Sequence, residues 1–434
     1  MTQHEIACRS PESSADLTPK DRSGRLPPGH RTPTSWSRLQ PSFRDCAAEQ
    51  KHRKLGGRGS AAISPIIALI LLTVLTGCGS AWQATVVAPD GSDYVVDSEV
   101  LRALDSFAEE DGDVPLERVL YCAGHRAIQG VTVVDGDGRQ HEIDWADAAE
   151  EPVWRKDGKI ALGGKVLPVV RVEILPPELL AQVSAGIIDI VPTAAAALGL
   201  PAPALACGQV LDASPADQVL LLFLDGFGYA RYTEALDDGL IPNLAALGEP
   251  RVALTVYPPS TSVASAALLT GAPPEVNGVD RRGIRMTDEE TLFDVAAAAG
   301  LDVVAVEGNA LAFNLRNSQM HLSGDRDGNG RTDDNVLANA LVVLEEGMPD
   351  LLYVHFHGID DTGHTYGPGA PEEAATIREV DAAVGYLFES LPSGTLAIVF
   401  ADHGMHAMQE DGRLGNHEHL IERDMFIPFW MVRK

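Results

Sequence analysis

The sequence predicts an α/β fold, a mainly parallel sheet with helices on both faces, preceded by a small β-rich or α+β domain. Three observations predict it. From Val219 onward, strand-length apolar runs alternate with helix-length segments, the order of a parallel sheet whose crossovers are helical. Acidic residues stand where three of the apolar runs stop: Asp225 after VLLLFL, Asp360 after LLYVHFHGI and Asp402 after LAIVFA. Upstream, from Ala84 to Ile174, the runs are short and β-rich, and Asp-Gly and Gly-Gly turns separate them.

Residues 1–60 are rich in Arg, Ser and Pro with little apolar periodicity, so a disordered leader is expected there. Residues 61–78 are apolar, follow Lys51, Arg53, Lys54 and Arg58, and end in Leu75-Thr76-Gly77-Cys78. The stretch falls short of the roughly 20 residues of a spanning helix and ends in small residues, as a secretory signal of the lipoprotein type does. Cys78 would then be the lipidated residue that anchors an exported, extracytoplasmic protein to the membrane of the cell envelope. A leader this long ahead of such a segment points to translation starting downstream, near Leu39 or Leu55. Beyond the signal only Cys122 and Cys207 remain, able to pair but too few for a disulfide scaffold.

Residues 82–175 form the small domain, for which a structural or substrate-shaping role is expected; its Cys122 and His125 read as a packed cysteine and a loop histidine. Residues 176–434 form the larger one. Pro192 and Gly199 bracket a helix within Ile187–Pro203. Then follow strand LLLFL, a helix from Tyr229 to Ala235, strand ALTVY, a helix starting at Thr261, strand DVVAV, helix LANALVVLEEG, strand LLYVHF, a helix from Glu372 to Leu391, strand LAIVF and a last strand from Phe426 to Val432. The formal charge of -29 excludes a nucleic-acid surface, which needs basic residues, but admits small anionic substrates near bound cations.

Residues at the carboxyl ends of strands in an open α/β sheet face one crevice. Asp225, Thr261, Asp360 with His364, Asp402 with His403, and His417 together supply the ligands of a two-metal site, provided they converge within metal-bonding distance. A threonine hydroxyl is a weak nucleophile that a divalent cation activates. Thr261 also sits where PPST gives way to the Ala/Leu-rich SVASAALLTG, at a helix start whose free N–H groups favour phosphate.

The segments LLLFLDGFG, YPPSTSVASAALLTG, DDTGHTYGP, ADHGM and GNHEH resemble the successive motifs of the alkaline-phosphatase-like superfamily, nearest to its type I phosphodiesterase/nucleotide pyrophosphatase group. The resemblance spans Val219 to Trp430, about half the chain. It implies one ion on Asp360, His364 and His417 and a second on Asp225, Asp402, His403 and the Thr261 hydroxyl, with Thr261 as the nucleophile of a phosphate-ester hydrolase. Three histidines beside carboxylates favour zinc, with manganese as the other option. His417 is chosen over His419 because it follows Gly-Asn. In the family an Asn that touches a phosphate oxygen occupies a segment that here reads NGVDRR, so Arg282 stands in its place; a guanidinium suits a more highly charged group. That departure admits a phosphomonoesterase, phosphonate hydrolase or phosphotransferase on the same scaffold, and a non-catalytic envelope binding protein is the alternative of another class. The segment IIDIVPTAAAALGLPAP resembles one that the family carries after its last metal histidine, which implies a circular permutation with the strand around Val169–Ile174 lying near the C-terminal strand.

Two further features belong to neither reading. Asp325, Asp327, Asn329 and Asp333 in GDRDGNGRTDD have the spacing of a calcium-binding turn, but Val336 stands where the twelfth-position Glu should be. His355 and His357 share one face of a predicted strand and are expected to be hydrogen-bonded core histidines.

Overall fold

The structure, a computed structural model, describes residues 82–104, 113–145, 152–162, 164–308, 311–326, 328–410 and 412–434. The leader, the apolar signal segment with Cys78, and Asp327 lie outside the described residues.

The first part of the chain makes two small sheets. β1 (Gln83–Val87), β2 (Asp93–Asp97), β4 (Gly130–Val134), β5 (Gln140–Asp144) and β9 (Arg171–Leu175) form one in the order β2-β1-β9-β4-β5; β3 (Val114–Pro115), β6 (Val153–Trp154), β7 (Lys159–Leu162) and β8 (Lys165–Pro168) form the other. Between β3 and β4 runs helix α1 (Leu116–Cys122), buried along Leu116 to Tyr121.

The larger sheet has eight strands: β10 (Val183–Gly186), β11 (Gln218–Leu224), β12 (Arg251–Leu254), β13 (Val303–Glu307), β14 (Gln319–Leu322), β15 (Leu351–Phe356), β16 (Thr395–Phe400) and β19 (Phe426–Arg433), in the order β10-β12-β19-β16-β11-β15-β13-β14. Only β19 runs antiparallel to its neighbours β12 and β16; every other adjacent pair is parallel. Central strands β11, β15 and β16 are almost wholly apolar and buried along their length, as a sheet covered on both faces requires. The covering helices include α2 (Ile190–Ala197), α3 (Tyr229–Asp237), α4 (Thr261–Thr270), α5 (Asp333–Glu346), α6 (Gly358–Tyr366) and α7 (Pro371–Ser390). Five of these six fall into two contacting groups, α2 with α4 and α5 and α6 with α7, as layers on opposite faces would, while α3 packs on β19. A hairpin of β17 (His406–Glu410) and β18 (Arg413–Asn416) stands apart from the sheet.

One strand differs from expectation. β9 pairs with β1 and β4, not with the C-terminal strand β19; the strand that reaches the large sheet ahead of the Ile187 segment is β10, beside β12 and two places from β19. The reason lies in its pattern: Arg171, Val172 and Glu173 alternate between surface and core, which suits a mixed sheet with one wet face rather than one covered on both faces. Any permuted connection must therefore run through β10.

Candidate active site

β11 lies between β15 and β16 at the centre of the sheet, so its carboxyl end adjoins theirs. Asp225 directly follows β11, Asp402 and His403 follow β16, and Asp360 sits in the first turn of α6 just past β15. Gly226 makes the turn after Asp225 with φ +72°; a Cβ there would lie 2.9 Å from the Asp360 Cβ, so only glycine lets the two carboxylates approach. Its N–H donates to Asp402 Oδ1 at 3.1 Å. Thr261 is the first residue of α4, behind Ser260 as N-cap, and its Oγ1 lies 3.3 Å from His403 Nε2 and 3.5 Å from Asp225 Oδ1.

Each of the three histidines is held the same way. His364 Nδ1 meets the Gly415 carbonyl at 2.8 Å, His417 Nδ1 the Pro259 carbonyl at 2.8 Å, and His403 Nδ1 the Gly404 carbonyl at 3.0 Å. A carbonyl only accepts, so each Nδ1 carries the proton and each Nε2 keeps its lone pair. Those lone pairs face carboxylates: His364 Nε2 is 3.4 Å and His417 Nε2 3.8 Å from Asp360, and His403 Nε2 is 3.2 Å from Asp402 and 3.6 Å from Asp225. Two ligands on one tetrahedral zinc, with bonds of about 2.0 to 2.1 Å, stand about 3.3 to 3.4 Å apart. Asp360 with His364 and His417, and Asp225 with Asp402 and His403, form two groups whose ligand atoms lie within 4.8 Å of one another.

The polar atoms fit cations. Asp360 Oδ1 and Asp402 Oδ2 are buried without a hydrogen-bond partner, which is costly for a carboxylate unless something else binds it. Burial, then the negative charge of Asp225, pushes the carboxyls of Asp360 and Asp402 well above the ordinary range. Burial, then the neighbouring His403 and His364, holds His417 well below its usual value, and burial lowers His403 and His364 too. Crowded carboxylates and neutral imidazoles are what a pair of positive ions would relieve.

Residues 219–432 match the family model for type I phosphodiesterase / nucleotide pyrophosphatase. This part of the chain belongs to that family. Among curated relatives, GPI ethanolamine phosphate transferase 3, catalytic subunit, of Mus musculus is 38% identical over 73 residues, 17% of this chain and 7% of the relative. Ectonucleotide pyrophosphatase/phosphodiesterase family member 7 of Homo sapiens is 40% identical over 85 residues, 18% of each chain. The matched segments thus span less than a fifth of these relatives. A solved structure of phosphonoacetate hydrolase from Sinorhizobium meliloti 1021 in complex with phosphonoformate is 23% identical, covering 49% of this chain and 59% of that one at a TM-score of 0.36.

In this phosphodiesterase-family domain all the sequence-predicted ligand positions meet at one sheet edge. Arg282 reaches the same cavity, about 420 Å³ in volume, whose lining includes Asp225, Thr261, His357, Asp360 and His417. Its guanidinium is half exposed and 3.6 Å from Glu418. His419 points elsewhere, its Nδ1 on Glu117 at 3.0 Å. Cys122 and Cys207 form no disulfide with each other, and Cys122 is exposed rather than packed. His125 lies in the loop after α1 and is buried, with Nε2 on the Val87 carbonyl at 2.8 Å.

Asp325, Asn329 and Asp333 of the calcium-turn set all accept from backbone N–H groups. Asp325 accepts from the N–H groups of Gly328, Asn329 and Gly330, and Asn329 from that of Arg331, the pattern of a plain Asp/Asn turn. Asp333 leaves the turn altogether: it opens α5, and its two oxygens accept from His357 N–H and Gly358 N–H at 2.9 Å, fixing the entry to α6.

One residue escaped the sequence analysis. Glu307 ends β13 and is 1% exposed; its Oε1 lies 3.1 Å from His355 Nδ1 and its Oε2 2.8 Å from His357 Nε2. His355 Nε2 continues to Asp225 Oδ2 at 3.2 Å, and His357 Nδ1 to the same oxygen at 3.5 Å. His355 stacks on Phe223 at 3.8 Å. The two histidines are thus braces between Glu307 and Asp225. Burial works against charge in this group, but hydrogen bonds from His355 and His357 hold Asp225 well below the usual carboxylate range, and donation to Asp225 and Glu307 holds His357 well above 6.5.

Proposed function

We propose that this chain is a two-metal hydrolase of phosphate esters, of the phosphodiesterase type, acting through Thr261. The observation that carries the reading is that a threonine hydroxyl lies 3.3 Å from His403 Nε2 and 3.5 Å from Asp225 Oδ1, beside two groups of carboxylates and imidazoles in which one oxygen each of Asp360 and Asp402 is buried and unpartnered. Asp360, His364 and His417 would hold one divalent ion, and Asp225, Asp402, His403 and Thr261 the other. Zinc suits three imidazoles among carboxylates, with manganese as the alternative. The Arg413 guanidinium lies 3.3 Å from His364 Nε2 and would have to give up that contact for a cation to take the nitrogen.

When bound, such ions favour the threonine alkoxide and stabilise charge on the leaving oxygen. The chain's own residues do the rest. Thr261 Oγ1 attacks phosphorus, so that the bond to Thr261 forms as the bond to the leaving alcohol breaks and the threonine proton ends on that alcohol; water then cleaves the phospho-threonine, its oxygen going to phosphorus and one of its protons to Thr261 Oγ1. The first-turn N–H groups of α4 lack intrahelical acceptors and favour the phosphoryl oxygens. The buried Nδ1 contacts hold the imidazole rings in orientation, and Asp225 is braced through His355 and His357.

Arg282 at the cavity rim supports a second reading, in which the substrate carries more charge than a diester: a phosphomonoester or a phosphonate. Export and lipidation at Cys78 complete the proposal, supported by the Leu-Thr-Gly-Cys pattern. No helix among the described residues is long and apolar enough to cross a membrane. The test is turnover of nitrophenyl phosphate mono- and diesters by the wild-type chain and Thr261→Ala, with and without chelator. Turnover that needs metal and falls by at least about a thousandfold in the variant supports the reading; chelator-insensitive turnover, or an active Thr261→Ala, refutes it.

A further inference from the structure

One carboxylate of the small N-terminal domain sits against both segments that lead to the site. Glu117, on α1, is 1% exposed and receives four hydrogen bonds: Trp145 Nε1 at 2.8 Å and His419 Nδ1 at 3.0 Å on Oε1, and Tyr257 Oη at 3.2 Å and Leu420 N at 2.9 Å on Oε2. A carboxylate has about four lone-pair sites, so all are used. Two of the donors belong to the segment directly after His417, and a third belongs to the segment that leads into Thr261. Those segments meet at the bond from His417 Nδ1 to the Pro259 carbonyl. Glu117 therefore closes a ring that contains the last imidazole of the metal group and the approach to the nucleophile.

The backbone adds a second, independent observation. Glu418, between His417 and His419, has φ +92°, a region that residues with a Cβ rarely occupy and that persists only where the surroundings impose it. The surroundings here are hydrogen bonds to the next residues: His419 Nδ1 and Leu420 N to Glu117, and His419 N to Asp424 Oδ2 at 3.0 Å. The same domain grips both segments at further points. Ile128 N donates to the Leu420 carbonyl at 2.8 Å, Tyr121 packs on Tyr257 with ring centres 5.1 Å apart, and the Arg118 guanidinium lies 4.9 Å from the Tyr257 ring centre.

We infer that Glu117 is a positioning residue of the site: it fixes His417 through His419 and Leu420, and Thr261 through Tyr257, which makes the N-terminal domain an obligatory part of the metal centre. The inference rests on the two-metal reading above. It is tested with Glu117→Gln in the full chain, zinc affinity being read by competition with a chromophoric chelator. Glutamine keeps the volume but turns half of the carboxylate into a donor that faces donors. The expected result is about 10- to 100-fold weaker binding of one zinc ion, the usual effect of losing an outer partner of a metal ligand, with the other ion unchanged and turnover at saturating zinc restored to within about threefold of wild type. Wild-type affinity for both ions in Glu117→Gln overturns the inference. Tyr257→Phe, which removes one hydroxyl and no packing, decides the matter if the first variant does not fold: about a threefold lower kcat at unchanged zinc affinity is expected, the equivalent of one ordinary hydrogen bond, and an unchanged kcat overturns it. Failure of the underlying reading looks different, because the wild-type chain itself would then neither bind zinc nor turn over, and both claims would fall together.

Discussion

Replacing Glu307 with Gln tests the brace behind Asp225 in quantitative terms. Burial alone would raise the Glu307 carboxyl, but the positive charge of His355 and hydrogen bonds from His355 and His357 outweigh it and bring it to about 2 from an ordinary 4.5. A fall from 4.5 to about 2 corresponds to roughly 3 kcal/mol of stability, at about 1.36 kcal/mol per tenfold change in proton affinity. Removing one partner of a buried charge pair costs a similar roughly 3 to 5 kcal/mol. Because the folded carboxyl is the stronger acid, this contribution is fully present above pH 4.5 and is lost as the pH falls toward 2. Urea unfolding of the metal-free protein should therefore place Glu307→Gln roughly 3 kcal/mol below wild type at pH 7, with more than half of that difference gone by about pH 3. A difference under about 1 kcal/mol at pH 7, or one that does not change with pH, would refute the charge-pairing account and leave Glu307 as packing.

Arg282→Asn should lower kcat/KM for nitrophenyl phosphate monoester by about tenfold or more while changing the diester by less than about threefold, since a guanidinium contact to a charged group is worth about 1.5 to 3 kcal/mol; equal effects on both substrates would make the arginine a surface charge. Asp381→Ala tests the scaffold apart from the chemistry. The carboxylate is 2% exposed and accepts from Asn243 N, Asn243 Nδ2 and Leu244 N at 3.1, 2.8 and 2.8 Å. The variant should lose about 2 to 4 kcal/mol in denaturant unfolding with kcat unchanged; a fall in kcat of matching size would show that this contact also orders the site.

The strand ends were legible because the chemistry stands next to the pattern: an apolar run followed by Asp225, Asp360 or Asp402 announces both the sheet and its functional edge. His417 was legible by its motif and needed no strand. Glu307 carried the same signal, as the end of VVAVE, and was passed over because a single carboxylate after a strand is usually a turn or a cap. Glu117 had no signal at all. In PLERVLY it looks like any surface glutamate of a short helix, and its burial depends on His419, 302 positions away. The circular-permutation reading places Val169–Ile174 near the C-terminal strand, whereas the alternating pattern of that segment ties β9 to the N-terminal sheet. Asp333 was drawn into a calcium turn by spacing, whereas its oxygens serve the backbone of His357 and Gly358.

The metal content of the purified full chain, measured by plasma mass spectrometry alongside His417→Ala, bears most directly on the central proposal. Two divalent ions per wild-type chain and one per His417→Ala chain are predicted, since the variant leaves the Asp225, Asp402 and His403 group intact. A wild-type chain without bound divalent metal, or a His417→Ala chain with an undiminished count, would contradict it.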